Sequence, residues 1–142
     1  MCREGGASLC RERVPGRNIM TIRRFVVTAT TDSSGDATVY SPVLSGKLVS
    51  IRYVKTDFTD GVDFTITAED TGETIWTESN VNASATRYPR AATASTAGAA
   101  SLYASGGTAV NDAIGLGSDR IKFVIGSGGD THTGTFHITV DG

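Results

Sequence analysis

Five carboxylates lie in one stretch of the sequence, from Asp63 to Glu78, and their spacing decides whether they could do chemistry. Catalytic carboxylates act as general acid and base only when they converge in a cleft. Asp63 and Glu69 alternate with apolar residues in a strand pattern, so the pleat directs them to solvent. Asp70 and Glu73 flank a turn that aspartate favours. We therefore predict that one set of side chains is the charged outer face of a hairpin and not a catalytic site: Asp63, Glu69, Asp70, Glu73 and Glu78.

Two further groups have the residue types of a metal site. Asp57, Asp60 and Asp63 surround a glycine turn, and oxygen ligands on such a turn can bind Ca²⁺. The residue spacing and distal glutamate of an EF-hand are missing, however. The two histidines, His132 and His137, have no ligand-type residue at a suitable spacing beside them. We therefore predict that the chain has no metal site.

The motifs of common enzyme classes are missing as well. The glycine-rich stretch GSGGD at 126–130 lacks the spacing of a phosphate-binding loop, and no helix pattern follows it. The sequence contains no G-x-S-x-G nucleophile elbow. We therefore expect that the protein is not an enzyme and uses no cofactor.

Composition narrows the class of partner. The chain has 142 residues, which fits one domain, and its formal net charge is −2, so nothing attracts nucleic acid in general. No apolar run approaches the roughly 18 residues of a membrane span. Both cysteines, Cys2 and Cys10, fall in the first ten residues, where they cannot cross-link the body of a fold. We expect neither a nucleic-acid nor a membrane partner.

The first 19 residues differ from the rest, because they contain four arginines but no apolar block. We predict a disordered basic tail at 1–19 and a single domain at 20–142. Two alternatives remain: the tail lies upstream of a natural start at Met20, or it is a basic arm that binds a neighbouring subunit or nucleic acid. Glu4 and Glu12 dilute its charge and weaken the second alternative.

From Ile22 onward the sequence alternates apolar and polar residues between glycine-, serine- and aspartate-rich turns. This pattern predicts an all-β fold, an antiparallel β-sandwich of about seven to nine short strands, either jelly-roll-like or immunoglobulin-like. Within it we predict that Val49, Ile51 and Tyr53 share one face of a long strand, and that Trp76 belongs to the core.

Residues 80–110 break the alternation, since they are mostly Ala, Ser, Thr, Gly and Asn. We predict a long surface loop there, with one short strand near Leu102 and Tyr103. At its start, arginines flank Tyr-Pro, and Tyr and Arg are the side chains that most often anchor interfaces. The predicted partner-binding residues are Arg87, Tyr88, Pro89, Arg90, Leu102 and Tyr103.

Two stretches, 35–84 and 119–142, carry a resemblance. The strand SGKLVSIRYV, the strand and turn VDFTITAEDTG and the closing DRIKFVI…TGTFHITV resemble small β-sandwich proteins in the structural modules of tailed bacteriophages. Such proteins are capsid-associated decoration or minor capsid subunits, or head–tail and tail components. The resemblance implies no enzymatic activity and identifies no particular binding residue, and residues 1–19 fall outside it.

The resemblance leads to an expected function. We expect a bacteriophage virion structural protein, a capsid-associated accessory subunit of the decoration (cement) or minor capsid kind, which acts through protein–protein contacts. Its partners would be the major capsid protein or other virion subunits, and we expect a homo-oligomer located in the virion and assembled in the cytoplasm of a bacterial host. The alternatives are a tail or head–tail component and a β-sandwich module that binds carbohydrate or a host surface.

Overall fold

The computed structural model describes residues 21–142, which form ten β-strands and no helix. The count exceeds the predicted seven to nine because two three-residue strands, β6 and β7, occur where the sequence predicts a loop. The strands are β1 (Ile22–Thr30), β2 (Ala37–Tyr40), β3 (Leu44–Lys55), β4 (Val62–Ala68), β5 (Thr74–Val81), β6 (Ala85–Arg87), β7 (Arg90–Ala92), β8 (Asn111–Asp119), β9 (Ile121–Gly126) and β10 (Thr133–Asp141).

Two antiparallel sheets pack against each other, which confirms the predicted sandwich. One sheet has the order β1-β10-β3-β8-β7, with β6 also paired to β3, and the other has the order β2-β9-β4-β5. Strand β1 pairs with β10, β2 with β9, β3 with β8 and β4 with β5, as in one long hairpin. Rolling that hairpin up brings β10 against β3 and β9 against β4. This order is that of a jelly roll, not of an immunoglobulin fold.

Aromatic rings fill the space between the sheets. The ring of Phe136 on β10 lies 4.8 Å from that of Phe123 and 5.1 Å from that of Phe64, both on the opposite sheet. Tyr53 packs edge-on against Phe64 at 4.7 Å. Burial raises the pKa of the Tyr53 hydroxyl to about 12, with the nearby aspartates as a smaller cause. Trp76 is 6% exposed, so its predicted place in the core is confirmed.

The predicted face of β3 is wrong at one position. Ile51 and Tyr53 are buried as predicted, but Leu48 takes the buried place assigned to Val49, which is only half-buried. The cause is a β-bulge: Ser50 lies opposite Thr139 but Leu48 lies opposite Val140, so the pairing skips Val49. An extra residue in one strand shifts the alternation by one position.

The predicted N-terminal tail and the possibility of a membrane span are considered next to the fold. The predicted tail at 1–19 lies outside the described residues, so it stays a prediction. No helix long and apolar enough to cross a membrane occurs between residues 21 and 142.

Gly46 on β3 gives a direct test of how closely the strands approach. Its φ is +119°, and a Cβ there would collide with the carbonyl oxygen of Asp141 and lie 2.9 Å from Cα of Gly142. We expect Gly46→Ala to lower the free energy of unfolding by about 2 kcal/mol or more, because backbone atoms cannot move aside cheaply. Gly115→Ala on β8 is the control, since no atom lies within 4 Å of its added Cβ.

Urea denaturation followed by tryptophan fluorescence would measure both variants. The control should stay within about 0.5 kcal/mol of the parent, as ordinary surface substitutions do. Equal denaturation midpoints for the two variants would contradict the predicted approach of β3 to the end of β10.

Candidate functional site

Residues 93–110, here called the arm, connect β7 to β8 and pair with themselves. The amide of Thr93 donates to the carbonyl of Val110 at 2.8 Å, and the amide of Ser101 donates to the carbonyl of Thr93 at 2.8 Å. The amide of Val110 donates in turn to the carbonyl of Ser101 at 2.9 Å. Three passes of the chain therefore share hydrogen bonds. The segment predicted as a surface loop thus contains paired backbone, with an isolated bridge at Leu102 where the sequence predicts a short strand.

Two glycine turns fold the arm back on itself. The first turn lies between Ser95 and Ala99, and Gly98 takes a φ of +86° within it. The second lies between Tyr103 and Thr108, with Gly106 at a φ of +72°. Glycine adopts these left-handed angles at little cost. The paired bridges Ala94–Ala100 and Leu102–Ala109 mark the two resulting hairpins.

Three of the six predicted partner-binding residues present apolar surface to solvent. Tyr88 is 64% exposed, Leu102 is 45% exposed and Tyr103 is 75% exposed. Leu102 and Tyr103 lie on the arm itself, and Tyr88 lies between β6 and β7 at its base. Large exposed apolar side chains of this kind are enriched in the centres of protein interfaces.

Arg87, by contrast, is bound within the fold. Its Nε donates to Oε1 of Glu78 at 2.9 Å, and its Nη2 donates to Oε2 at 2.8 Å. The guanidinium also lies over the ring of Trp76, 5.7 Å from its centre, and Trp76 Nε1 donates to the same carboxylate at 2.8 Å. Because Arg87 is on β6 and Glu78 on β5, the pair ties the edges of the two sheets together.

Pro89 and Arg90 also support the fold at the base of the arm. Pro89 is buried. Arg90 Nη1 donates to the carbonyl of Val49 at 3.0 Å and to that of Pro89 at 2.8 Å. Arg90 therefore anchors the arm to the bulge of β3. The predicted set thus divides into three residues that present apolar surface to solvent and three that bind or pack within the fold at the base of the arm.

The hairpin carboxylates do more than cover an outer face. Glu69 binds Arg120 through two hydrogen bonds, Nε to Oε1 at 2.7 Å and Nη2 to Oε2 at 2.6 Å. The Arg120 hydrogen bonds are the largest cause that lowers the pKa of Glu69. Oδ1 of the buried Asp119 accepts hydrogen bonds from the amides of Asp70 and Arg120. Carboxylate oxygens of Glu69, Asp70 and Asp119 lie within 4.8 Å of one another, but Glu69 and Asp119 already have partners within the fold.

The aspartates of the considered calcium turn have separate partners. Asp57 Oδ1 accepts from the amide of Thr133, and Asp60 pairs with Lys55. Asp63 Oδ1 accepts from the amide of Asn80 at 2.9 Å. The single acidic group with metal-ligand spacing in residues 21–142 is the one that contains Glu69, so the structure does not bring these three aspartates together.

Comparison with protein-family models, with curated proteins and with solved structures finds no match to this chain. A proposal for the function therefore rests on the surface that residues 21–142 expose. The feature that stands out is the arm, with its exposed apolar side chains and its anchored base.

The Glu78–Arg87 pair makes a pH-dependent contribution to stability. Hydrogen bonds from Arg87, and then from Trp76, lower the pKa of Glu78 below its usual 4.5. A carboxylate with a lowered folded pKa stabilises the fold above its usual pKa and loses that effect as the pH falls through the folded value. We expect Glu78→Gln to lower the free energy of unfolding by about 1 kcal/mol at pH 7.

Thermal unfolding of the parent and the variant across pH 2–7 would measure this. The difference in melting temperature should be constant above pH 4.5 and shrink below it. Glu73→Gln is the control, since it should stay within about 0.5 kcal/mol at every pH. A Glu78→Gln difference that persists undiminished in acid would contradict the role of the ion pair.

Proposed function

We propose that the protein is a structural subunit of a bacteriophage virion, a capsid-associated accessory subunit that acts through protein–protein contacts. The observation that carries this proposal is the arm, which presents Leu102 and Tyr103 to solvent, together with the exposed Tyr88 at its base. The resemblance of the strand pattern to phage structural proteins is the reason for proposing a bacteriophage virion as the particle in which the protein assembles. Its partners would be the major capsid protein or other virion subunits, including further copies of this chain.

The energetics of the arm favour docking. Burying a large apolar side chain contributes roughly 1.5–3 kcal/mol. A flexible loop would lose much of that gain through the ordering of its backbone, at roughly 1–2 kcal/mol per residue. The arm is already paired through its own backbone and anchored by Arg90 at its base. A partner could therefore bury Leu102 and Tyr103 with little loss of backbone conformational entropy in the arm.

The arm also predicts the character of the contact. Residues 93–110 contain no acidic, basic or histidine side chain. Binding through the arm would then depend on apolar burial and hydrogen bonds, so its affinity should change little with salt concentration. A stable position in an assembled shell is consistent with such a contact.

The jelly roll is compatible with this role, because viral capsid proteins use it, as do lectins and cupins. A fold of such wide use does not select a function by itself. The exposed side chains of the arm, not the fold, therefore support the proposal.

We expect the double variant Leu102→Ser/Tyr103→Ser to fold but to incorporate into particles at least about tenfold less than the parent protein. That factor corresponds to the loss of about 1.4 kcal/mol, less than the burial of one large apolar side chain. Quantitative mass spectrometry of particles purified from the virus whose genome carries the gene would measure incorporation.

Val43→Ser is a matched control, because Val43 is 62% exposed but lies between β2 and β3, outside the arm. It should incorporate like the parent. Sedimentation of the free protein at low and high salt would show whether copies associate through the same residues. The proposal fails if the protein is absent from virions, or if the double variant occupies them at the parental level.

A further inference from the structure

A depression lies on the outer face of the six-stranded sheet, over the neighbouring strands β1, β10, β3 and β6. Its volume is about 410 Å³, within the size range of small-molecule sites. Two arginines, one histidine and three hydroxyl side chains provide its polar lining: Arg24, Arg52, His137, Ser50, Thr86 and Thr139.

The strand register places these side chains together. His137 on β10 lies opposite Arg52 on β3, and Arg52 lies opposite Thr86 on β6. In the adjoining row, Thr139 lies between Arg24 on β1 and Ser50 on β3. Paired strands are about 4.8 Å apart and the two rows are about 7 Å apart along the strands, so the Cα atoms of the two arginines are roughly 12 Å apart, on either side of β10.

Within residues 21–142, no carboxylate pairs with the arginines of the depression. Its lining includes no carboxylate. Arg87 and Arg120 bind glutamates, whereas neither Arg24 nor Arg52 forms a salt bridge with any residue from 21 to 142. A guanidinium offers five N–H donors in a planar fork that matches the oxygens of a carboxylate or phosphate. As far as residues 21–142 are concerned, both guanidinium groups can therefore bind a ligand.

We propose that this depression binds an oxyanion group, a phosphate, sulfate or carboxylate, carried by a small polar molecule. The arginines would hold the anionic oxygens. Ser50, Thr86 and Thr139 would exchange hydrogen bonds with neighbouring hydroxyls, and the imidazole of His137 would contribute one more polar contact. Long nucleic acid is disfavoured because the chain as a whole has a net charge of −2. This inference does not depend on the proposed function.

Calorimetric titration with inorganic phosphate, glucose 6-phosphate and glucose would test the proposal. We expect both phosphates to bind and glucose not to bind. Arg24→Gln/Arg52→Gln should weaken phosphate binding at least about tenfold, since two charge-assisted contacts are lost. Lys122→Gln on β9 is the control, because it removes a positive charge from the other sheet and should change affinity less than about twofold.

Arg52→Lys is a second test in case the double variant folds poorly. It keeps the positive charge but removes the planar guanidinium, so phosphate should bind more weakly than to the parent and more tightly than to the double variant. Tighter binding of glucose 6-phosphate than of phosphate would support the hydrogen bonds from the hydroxyl side chains to the carrier, and equal binding would overturn that part of the proposal. Failure of both phosphates to bind at millimolar concentration, or equal weakening by Lys122→Gln, would overturn the proposal. So would tight, salt-sensitive binding of duplex DNA, which would identify a general polyanion surface instead.

Discussion

The contact of Phe136 with aromatic rings of the facing sheet is the interaction on which the rest of the structure depends. Phe136 lies on β10, between β1 and β3, and its ring touches those of Phe64 and Phe123 across the interior. This packing holds the two sheets face to face. Ion pairs then close the sandwich at its margins, Arg87–Glu78 from β6 to β5 and Arg120–Glu69 beside the β4–β5 turn.

The packing of the interior also determines the positions of two surface features, the depression on the six-stranded sheet and the arm. The pleat that turns Phe136 and Ile138 inward must turn His137 and Thr139 outward, where they line the depression of the six-stranded sheet. The bulge at Val49 leaves a carbonyl that Arg90 uses to anchor the arm. Hydrogen-bonded backbone therefore fixes the geometry of both the depression and the arm.

The sequence was sufficient for the fold class, because alternation such as that of β10 reflects a buried and an exposed face directly. The bulge at Val49 could not be predicted, since it depends on the register of β3 against a strand far along the chain. Arg87 was predicted as a binding residue because it flanks Tyr88 and Pro89, and its ion pair could not be predicted because Glu78 belongs to the other sheet. The pairing within the arm was missed for a different reason. Backbone hydrogen bonds hold it together, and its small residues do not show the alternation of apolar and polar side chains that indicates a strand. The turns at Gly98 and Gly106 were the signal that could have indicated it.

The pairing of β1 with β10 has one more consequence. Ile22 lies opposite Asp141, so the two ends of the sandwich leave it side by side from the edge of one sheet. A linker of a few residues would join them, and the chain could then be opened at another surface turn with its strand order in space unchanged. The same geometry makes the sandwich a unit that can be inserted into a loop of a second protein with little disturbance to either.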